Sequence, residues 1–293
     1  MRLVVVIPTI GRKELLPSTL ALLEEQTRLP DEVIVSAPDD SHAGLYEAEH
    51  YEFTRVFGKR GLCAQRNQAL DEAIGRSDII TFFDDDFLPA ADYLEKLERA
   101  FIANPDWVVV RGEAVYDGAN GPGYSFAEGL ALLRDFEARC RTRPVPEEII
   151  DHVGAYGCNM SVRTAAIGAL RFDERLPLYG WQEDIDFTSQ LRRKGRVVGM
   201  RNLCGVHLAT KSGRISGVKF GYSQVANPVY LVRKGTVPAG FALKLMARNV
   251  AANTVKSLKP EPYIDRFGRL RGNLLAAFHI LTGRVDPEYI LKL

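Results

Sequence analysis

The chain has only 4 cysteines in 293 residues, Cys63, Cys140, Cys158 and Cys204, and no two of them form a CxxC pair. Neither a disulfide framework nor a cysteine-held zinc site is suggested, so the thiols read as reduced and structural. Missing too is any apolar stretch near the roughly 20 residues that span a bilayer. The apolar start Leu3–Ile7 is broken at Pro8 and does not read as a secretory signal, so the chain is expected in the cytoplasm. No GxGxxG follows an apolar run, which argues against a Rossmann dehydrogenase. The turn Pro8-Thr9-Ile10-Gly11-Arg12 is not Gly-rich, which argues against a sugar-1-phosphate nucleotidyltransferase. Internal repeats and low-complexity tracts are absent as well.

Net charge is also small, +1 for the whole chain, but it is unevenly spread. Residues 192–293 carry 19 Lys and Arg against 4 acidic residues, Glu261, Asp265, Asp286 and Glu288, a net of +15. Taking these from the totals of 38 and 37 leaves 19 basic and 33 acidic residues in 1–191, a net of −14. The acidic part holds the candidate chemistry. The basic part suits contact with an anionic surface or a solvated face.

What is present is an alternation. Arg2–Ile7, Glu32–Ser36, Tyr51–Phe57 and Asp78–Phe83 read as short buried strands, with helical spacing in Glu14–Gln26 and Leu62–Ile74 between them. Such alternation predicts parallel βαβ units and a doubly wound, mostly parallel α/β sheet. Ligands in these sheets bind beyond the carboxyl ends of the strands. The segments there, Pro8–Arg12, Ala37–Asp40, Gly58–Gly61 and Asp84–Asp86, are polar and charged and should converge on one edge. Further on, Asp106–Tyr116 reads as a strand, Phe126–Cys140 as a helix, Pro144–Val153 as a linker, Glu183–Lys194 as a helix and Arg196–Leu208 as one or two strands. Val218–Arg233, Ala239–Ser257 and Arg269–Leu281 read as helices punctuated by Pro238, Pro260 and Pro262.

Three successive carboxylates, Asp84, Asp85 and Asp86, follow the apolar run Ile79–Phe83. Like charges so close at the edge of a low-dielectric core suppress one another's ionisation unless a cation neutralises them. Hard oxygen ligands suit Mg²⁺ or Mn²⁺; the alternative is a solvated acidic loop capping the helix expected near Ala90. A second acidic group, Trp181-Gln182-Glu183-Asp184-Ile185-Asp186, starts a helix, where it suits the macrodipole or supplies a base for a hydroxyl proton. His207 lies 23 residues beyond Asp184 and, from position alone, reads as structural or as a metal ligand.

The runs VVVIPTIGRKELLPSTLALLEEQT, GLCAQRNQAL, FFDDD, GCNMSVR, FDERL and GWQEDIDF occur in the order and spacing of glycosyltransferase family 2, which the chain resembles over about residues 2–210. The resemblance implies a GT-A fold and a metal-dependent, inverting transfer from a nucleotide diphosphate sugar. It implies a catalytic domain over 1–217, with a Rossmann-like nucleotide-sugar-binding half (1–105) and an acceptor half (106–217), and a basic helical extension over 218–293. By the same resemblance Pro8, Thr9, Arg12, Ser36, Arg60 and Arg66 line the donor pocket, with Asp84 and Asp85 on the nucleoside side. Asp86 is the metal ligand, Asp184 the catalytic base, and Trp181 and Glu183 lie on the acceptor side. The DDD segment, the WxED run and a later His resemble bacterial galactofuranosyltransferases, which makes His207 a second metal ligand. One departure is Ser36-Ala37-Pro38, where the family usually has an Asp that reads the base; Asp39 and Asp40 are displaced by about two residues. UDP, dTDP and GDP sugars therefore all stay open as donors.

The resemblance further implies a glycan or lipid-linked acceptor in bacterial cell-surface or exopolysaccharide synthesis, and no nucleic-acid partner. A non-catalytic donor-binding scaffold is the other reading. In the tail, Lys244, Arg248, Lys256, Lys259, Arg266, Arg269 and Arg271 accompany Phe241, Leu245, Met246, Val250, Leu274, Leu275 and Phe278. That combination suits peripheral contact with the inner face of a membrane, or packing on the catalytic domain or in a homodimer.

Overall fold

The computed structural model describes residues 1–152, 154–211 and 215–293. It divides into two compact units. Unit 1 comprises Met1–Arg60, Ala64–Arg171 and Leu191–Gly213; unit 2 comprises Gly61–Cys63, Phe172–Gln190 and Arg214–Leu293.

Unit 1 is built on one nine-stranded mixed sheet. Its strands are β1 (Leu3–Pro8), β2 (Glu32–Ala37), β3 (Glu52–Phe57), β4 (Ile79–Phe83), β5 (Phe87–Pro89), β6 (Trp107–Asp117), β7 (Ile149–Asp151), β8 (Asn159–Arg163) and β9 (Arg196–His207). The order is β3-β2-β1-β4-β8-β6-β9-β5, with β7 on β9. The first four of that path run parallel, as expected from the strand and helix alternation. β8 runs antiparallel between β4 and β6, and β5 and β7 run antiparallel to β9. β1, β2 and β4 are buried along their whole length, the mark of strands covered on both faces. The Pro144–Val153 linker contains β7, and Val153 itself lies outside the described residues.

The helices of unit 1 are α1 (Leu16–Leu23), α2 (Asp40–Ala43), most of α3 (Leu62–Ala73), α4 (Tyr93–Ala103), α5 (Phe126–Thr142) and α6 (Thr164–Ile167). α1 is shorter than the periodicity of Glu14–Gln26 predicts, because Pro17 sits at its first turn, where its missing N–H costs nothing. α5 starts at a capping box, with Ser125 and Glu128 each bonded to the other's backbone. The core joins Leu3, Val5 and Ile7 to Leu16, Leu20, Phe83, Phe87 and Tyr93.

Unit 2 is helical: α7 (Glu183–Leu191, all but its last residue), α8 (Gly217–Lys234), α9 (Ala239–Lys256), α10 (Arg266–Leu281) and a closing 3-10 helix (Pro287–Lys292). α8 and α10 cross so closely that a Cβ on Gly221 would fall 2.0 Å from Arg269 O, and one on Gly272 2.1 Å from Val218 O. A buried polar lock sets their register with α9. Asn253 Nδ2 donates to Gln224 Oε1 at 2.8 Å and to Asn273 Oδ1 at 2.9 Å, and Asn273 Nδ2 donates to Gly221 O at 2.6 Å.

The segment Phe172–Gln190 groups with these helices. A buried ion-pair cluster ties the segment to the end of α8. Asp186, fully buried on α7, accepts from Lys234 Nζ at 2.6 Å and Thr236 Oγ1 at 2.6 Å, and Lys234 also reaches Asp173 at 2.7 Å. Lys234→Met should therefore lower stability by about 3 kcal/mol, because it strands the Asp186 charge. Urea unfolding followed through Trp181 in a Trp107→Phe background measures this; a change below about 1 kcal/mol contradicts it.

Candidate functional site

β4 ends at Phe83, and the chain turns at once through Asp84, Asp85 and Asp86 into β5. Asp84 N donates to Cys158 O at 3.2 Å and Phe87 N to Asp84 O at 3.0 Å, which closes the turn on β8. β5 then pairs with the end of β9, Phe87 opposite His207. That register sets the imidazole beside the third carboxylate, with His207 Nε2 3.5 Å from Asp86 Oδ1.

The three carboxylates have different surroundings. Asp85 is buried and spends both oxygens inside unit 1: Oδ2 accepts from Thr9 Oγ1 at 2.6 Å, and Oδ1 accepts from Arg12 Nη1. Burial, with Asp86 beside it, pushes the Asp85 carboxyl up to about 6 against the pull of Arg12. Asp86 is equally buried, and burial alone would raise it too. The hydrogen bond from His207, the Arg12 charge at 3.0 Å and the Thr210 donors outweigh burial and hold it below the usual carboxylate range. Asp84 is the most open, about a third exposed, and accepts from Arg66 Nη2 at 3.2 Å. Arg66 is itself fully buried and also donates to Gly157 O at 2.8 Å.

Asp84, Asp86 and His207 each offer a ligand atom, and these atoms lie within 4.8 Å of one another. Two hard carboxylate oxygens and an imidazole form a donor set that fits Mg²⁺ or Mn²⁺. The far side of the ring is held as metal-ligating histidines usually are: His207 Nδ1 lies 2.9 Å from Asp117 Oδ1, and Tyr156 donates to Asp117 Oδ2 at 3.2 Å. Burial alone would lower His207, but the bonds to Asp117 and Asp86 push it up to about 10. The two flanking carboxylates thus favour positive charge at the ring, whether a second proton on it or a cation bound beside it.

Of the other residues singled out from sequence, Pro8 and Ser36 face each other across β1 and β2. Gln65 Nε2 ties the two strand ends, donating to Thr9 O and Ser36 O at 2.8 Å each. Arg60 is exposed in the loop after β3, and among the described residues no ion pair links it to the carboxylates. In unit 2, Trp181, Glu183 and Asp184 sit at the start of α7. Asp184 is half-buried, and its Oδ1 accepts from Ile185 N at 2.8 Å. Trp181 O accepts from Asn227 of α8 at 2.8 Å, and its ring meets Phe220 edge-on. The approach to α7 is bent through left-handed backbone at Leu178 (φ 60) and Gln182 (φ 76), uncommon for side chains of that size.

The sequence reading missed Thr210, whose N and Oγ1 both donate to Asp86 at 2.9 Å. It also missed Asp117 and Tyr156. Asp117 does carry a signal: it is the polar residue that ends the strand expected over Asp106–Tyr116, as polar segments follow the first four strands. Thr210 carries no such signal.

The glycosyl transferase family 2 model matches residues 4–167. An uncharacterized glycosyltransferase of Bacillus subtilis (strain 168) is 34% identical over 119 residues, 38% of this chain but only 30% of that relative's length. A mannosyltransferase of Pyrobaculum calidifontis, solved with GDP-Man and Mn²⁺, superposes with a TM-score of 0.54 at 18% identity over 99% of this chain and 85% of its own. The 1–349 fragment of S. aureus TarS gives 0.56 at 16% identity over 98% and 83%. GalNAc-T7 with UDP, GalNAc and Mn²⁺ gives 0.53 at 13% identity over 100% and 56%. At these identities the likeness is one of fold, and it is the GT-A fold.

Asp117→Asn should weaken Mn²⁺ binding to the full chain about 10- to 100-fold by releasing the His207 ring. Calorimetric titration with MnCl₂ measures it; unchanged affinity would remove Asp117 from this role.

Proposed function

The chain belongs to glycosyltransferase family 2, and from that premise we propose that it moves a sugar from a nucleotide diphosphate donor to a hydroxyl of a glycan or lipid-linked acceptor. The observation that carries the reading is the convergence of Asp84, Asp86 and His207 at the carboxyl end of β4, where α/β sheets bind ligands.

In this reading Asp86 and His207, with Asp84, hold a divalent cation, either Mg²⁺ or Mn²⁺. When bound, the cation supplies Lewis-acid neutralisation of charge on the departing diphosphate. Thr9 and Arg12 fix Asp85, which keeps the turn in shape, and Arg66 braces Asp84 from beneath. Asp184 accepts the proton of the acceptor hydroxyl as its oxygen bonds to the anomeric carbon. The carbon–oxygen bond to the diphosphate breaks on the opposite face, its electron pair leaves with the nucleotide, and the anomeric configuration inverts. No covalent intermediate forms. Glu183 and Trp181 lie on the acceptor side, and Pro8, Ser36 and Arg60 on the donor side.

The displaced acidic pair after β2 is occupied locally, which supports leaving the nucleobase open among UDP, dTDP and GDP. Asp39 caps α2 by accepting from Ser41 N at 2.9 Å, and Asp40 pairs with Arg55 at 2.9 Å. The setting we propose is bacterial cell-surface polysaccharide synthesis at the inner face of the membrane.

Asp184→Asn should keep Mn²⁺-dependent donor binding within about threefold while cutting transfer by about 10²- to 10⁴-fold. Calorimetry and product formation, run with UDP, dTDP and GDP sugars in turn, measure the two effects. Full turnover in the variant would contradict the assignment.

A further inference from the structure

α10 is amphipathic in the wrong sense for a helix that only packs inward. It buries the small residues Gly268, Gly272 and Ala276 with the polar Asn273 and His279, and it exposes large apolar ones, Phe267, Leu274, Phe278 and Leu281. The exposed four recur at i, i+7, i+11 and i+14, which places them on one helix face together with Arg271. Each is more than half exposed. α9 behaves similarly. Of its 18 residues only Ala242 and Asn253 are buried, and Leu243, Ala247, Ala251 and Val255, every fourth residue, are exposed, with Leu258 just beyond.

The apolar residues that the sequence sets among the basic ones of the tail, open there to membrane contact or to packing, include Leu245, Met246, Val250 and Leu275. These four take the packing role: Met246, Val250 and Leu275 pack on the unit 2 core around Tyr222, and Leu245 is half-buried. Arg266 and Arg269 are also engaged at home, Arg266 with Glu261 at 2.8 Å and Arg269 over the Phe220 ring.

The stretch of chain that carries the exposed apolar residues is positive. The stretch 239–284 contains two acidic residues, Glu261 and Asp265. Glu261 is held by Lys256 and Arg266, and Asp265 caps α10 through Gly268 N. Among the described residues none of Lys244, Arg248, Lys259 and Arg271 has an ion pair. A twofold contact with a second copy would set these like charges against themselves. An anionic lipid surface satisfies both halves of the pattern, apolar residues in the headgroup–acyl boundary and cations on the phosphates. No helix among the described residues is long and apolar enough to cross a membrane, so the mode is interfacial.

We propose that α9 and α10 dock unit 2 on an anionic lipid bilayer, with Phe267, Leu274, Phe278 and Leu281 inserted and Lys244, Arg248, Lys259 and Arg271 on lipid phosphates. The docking does not depend on the transfer chemistry, and its test is read without activity. The full chain is floated with vesicles of phosphatidylcholine alone and of phosphatidylcholine mixed with phosphatidylglycerol. The wild-type chain should bind the mixed vesicles only, and more weakly as salt is raised. Leu274→Ser/Phe278→Ser and, separately, Lys244→Glu/Arg248→Glu should each weaken binding about tenfold or more. Circular dichroism and the thermal midpoint should match the wild type, because all four side chains are exposed. No binding of the wild type at low salt overturns the proposal, and so does binding unchanged in both variants. A solution dimer that Leu274→Ser/Phe278→Ser splits would also overturn it and assign the face to a second copy.

Discussion

Two buried carboxylates and a third half-open one, in consecutive positions at the end of a buried strand, cannot all ionise unless positive charge is brought to them. Much of unit 1 meets that demand. Arg12 comes from the turn after β1, Arg66 from α3 and His207 from the end of β9, while Thr9 and Thr210 add hydroxyl donors. Each neutralising group sits at the carboxyl end of a strand or beside it. The charge requirement and the sheet order therefore select the same edge. β8 contributes by running antiparallel beside β4, which lets Cys158 O close the turn and Gly157 O hold Arg66. The family to which the chain belongs is thus expressed here as an electrostatic arrangement.

That selection separates residues that look equivalent in sequence. Both oxygens of Asp85 are engaged by Thr9 and Arg12, and no oxygen of it joins the cluster around His207. Asp84 and Asp86 each place a carboxylate oxygen within 4.8 Å of a ring nitrogen of His207. A run of three aspartates shows that charge must be neutralised, but it cannot say which member is spent on the protein itself. Long-range pairings decide that. Asp117 and His207 are 90 residues apart in sequence and 2.9 Å apart in space because β6 and β9 run side by side in parallel.

The legible part of the fold was the part written locally. Buried strands, helical spacing and polar turns after strands were readable from Arg2 to Phe83, and the Gly217–Lys234, Ala239–Lys256 and Arg266–Leu281 helices fell close to their expected bounds. β5 was invisible because three residues carry no periodicity, and only its pairing with β9 makes it a strand. The antiparallel insertion of β8 was equally hidden, since strand direction is not written in composition. The grouping of Phe172–Gln190 with the C-terminal helices depends on the buried Asp186, whose partner Lys234 lies 48 residues away. On the tail helices the sequence showed a mixture of apolar and basic residues. Which apolar residues face outward followed from the close α8 and α10 crossing at Gly221 and Gly272 and from the Asn253 lock.

The central claim is that a divalent cation is held by a mixed oxygen and nitrogen donor set in unit 1. Electron spin echo spectroscopy of Mn²⁺ bound to the full chain reads the nitrogen directly. The account predicts a nuclear modulation from one imidazole nitrogen that disappears in His207→Ala while Mn²⁺ still binds through Asp84 and Asp86. Tightly bound Mn²⁺ with no nitrogen modulation, or one that persists without His207, would contradict it.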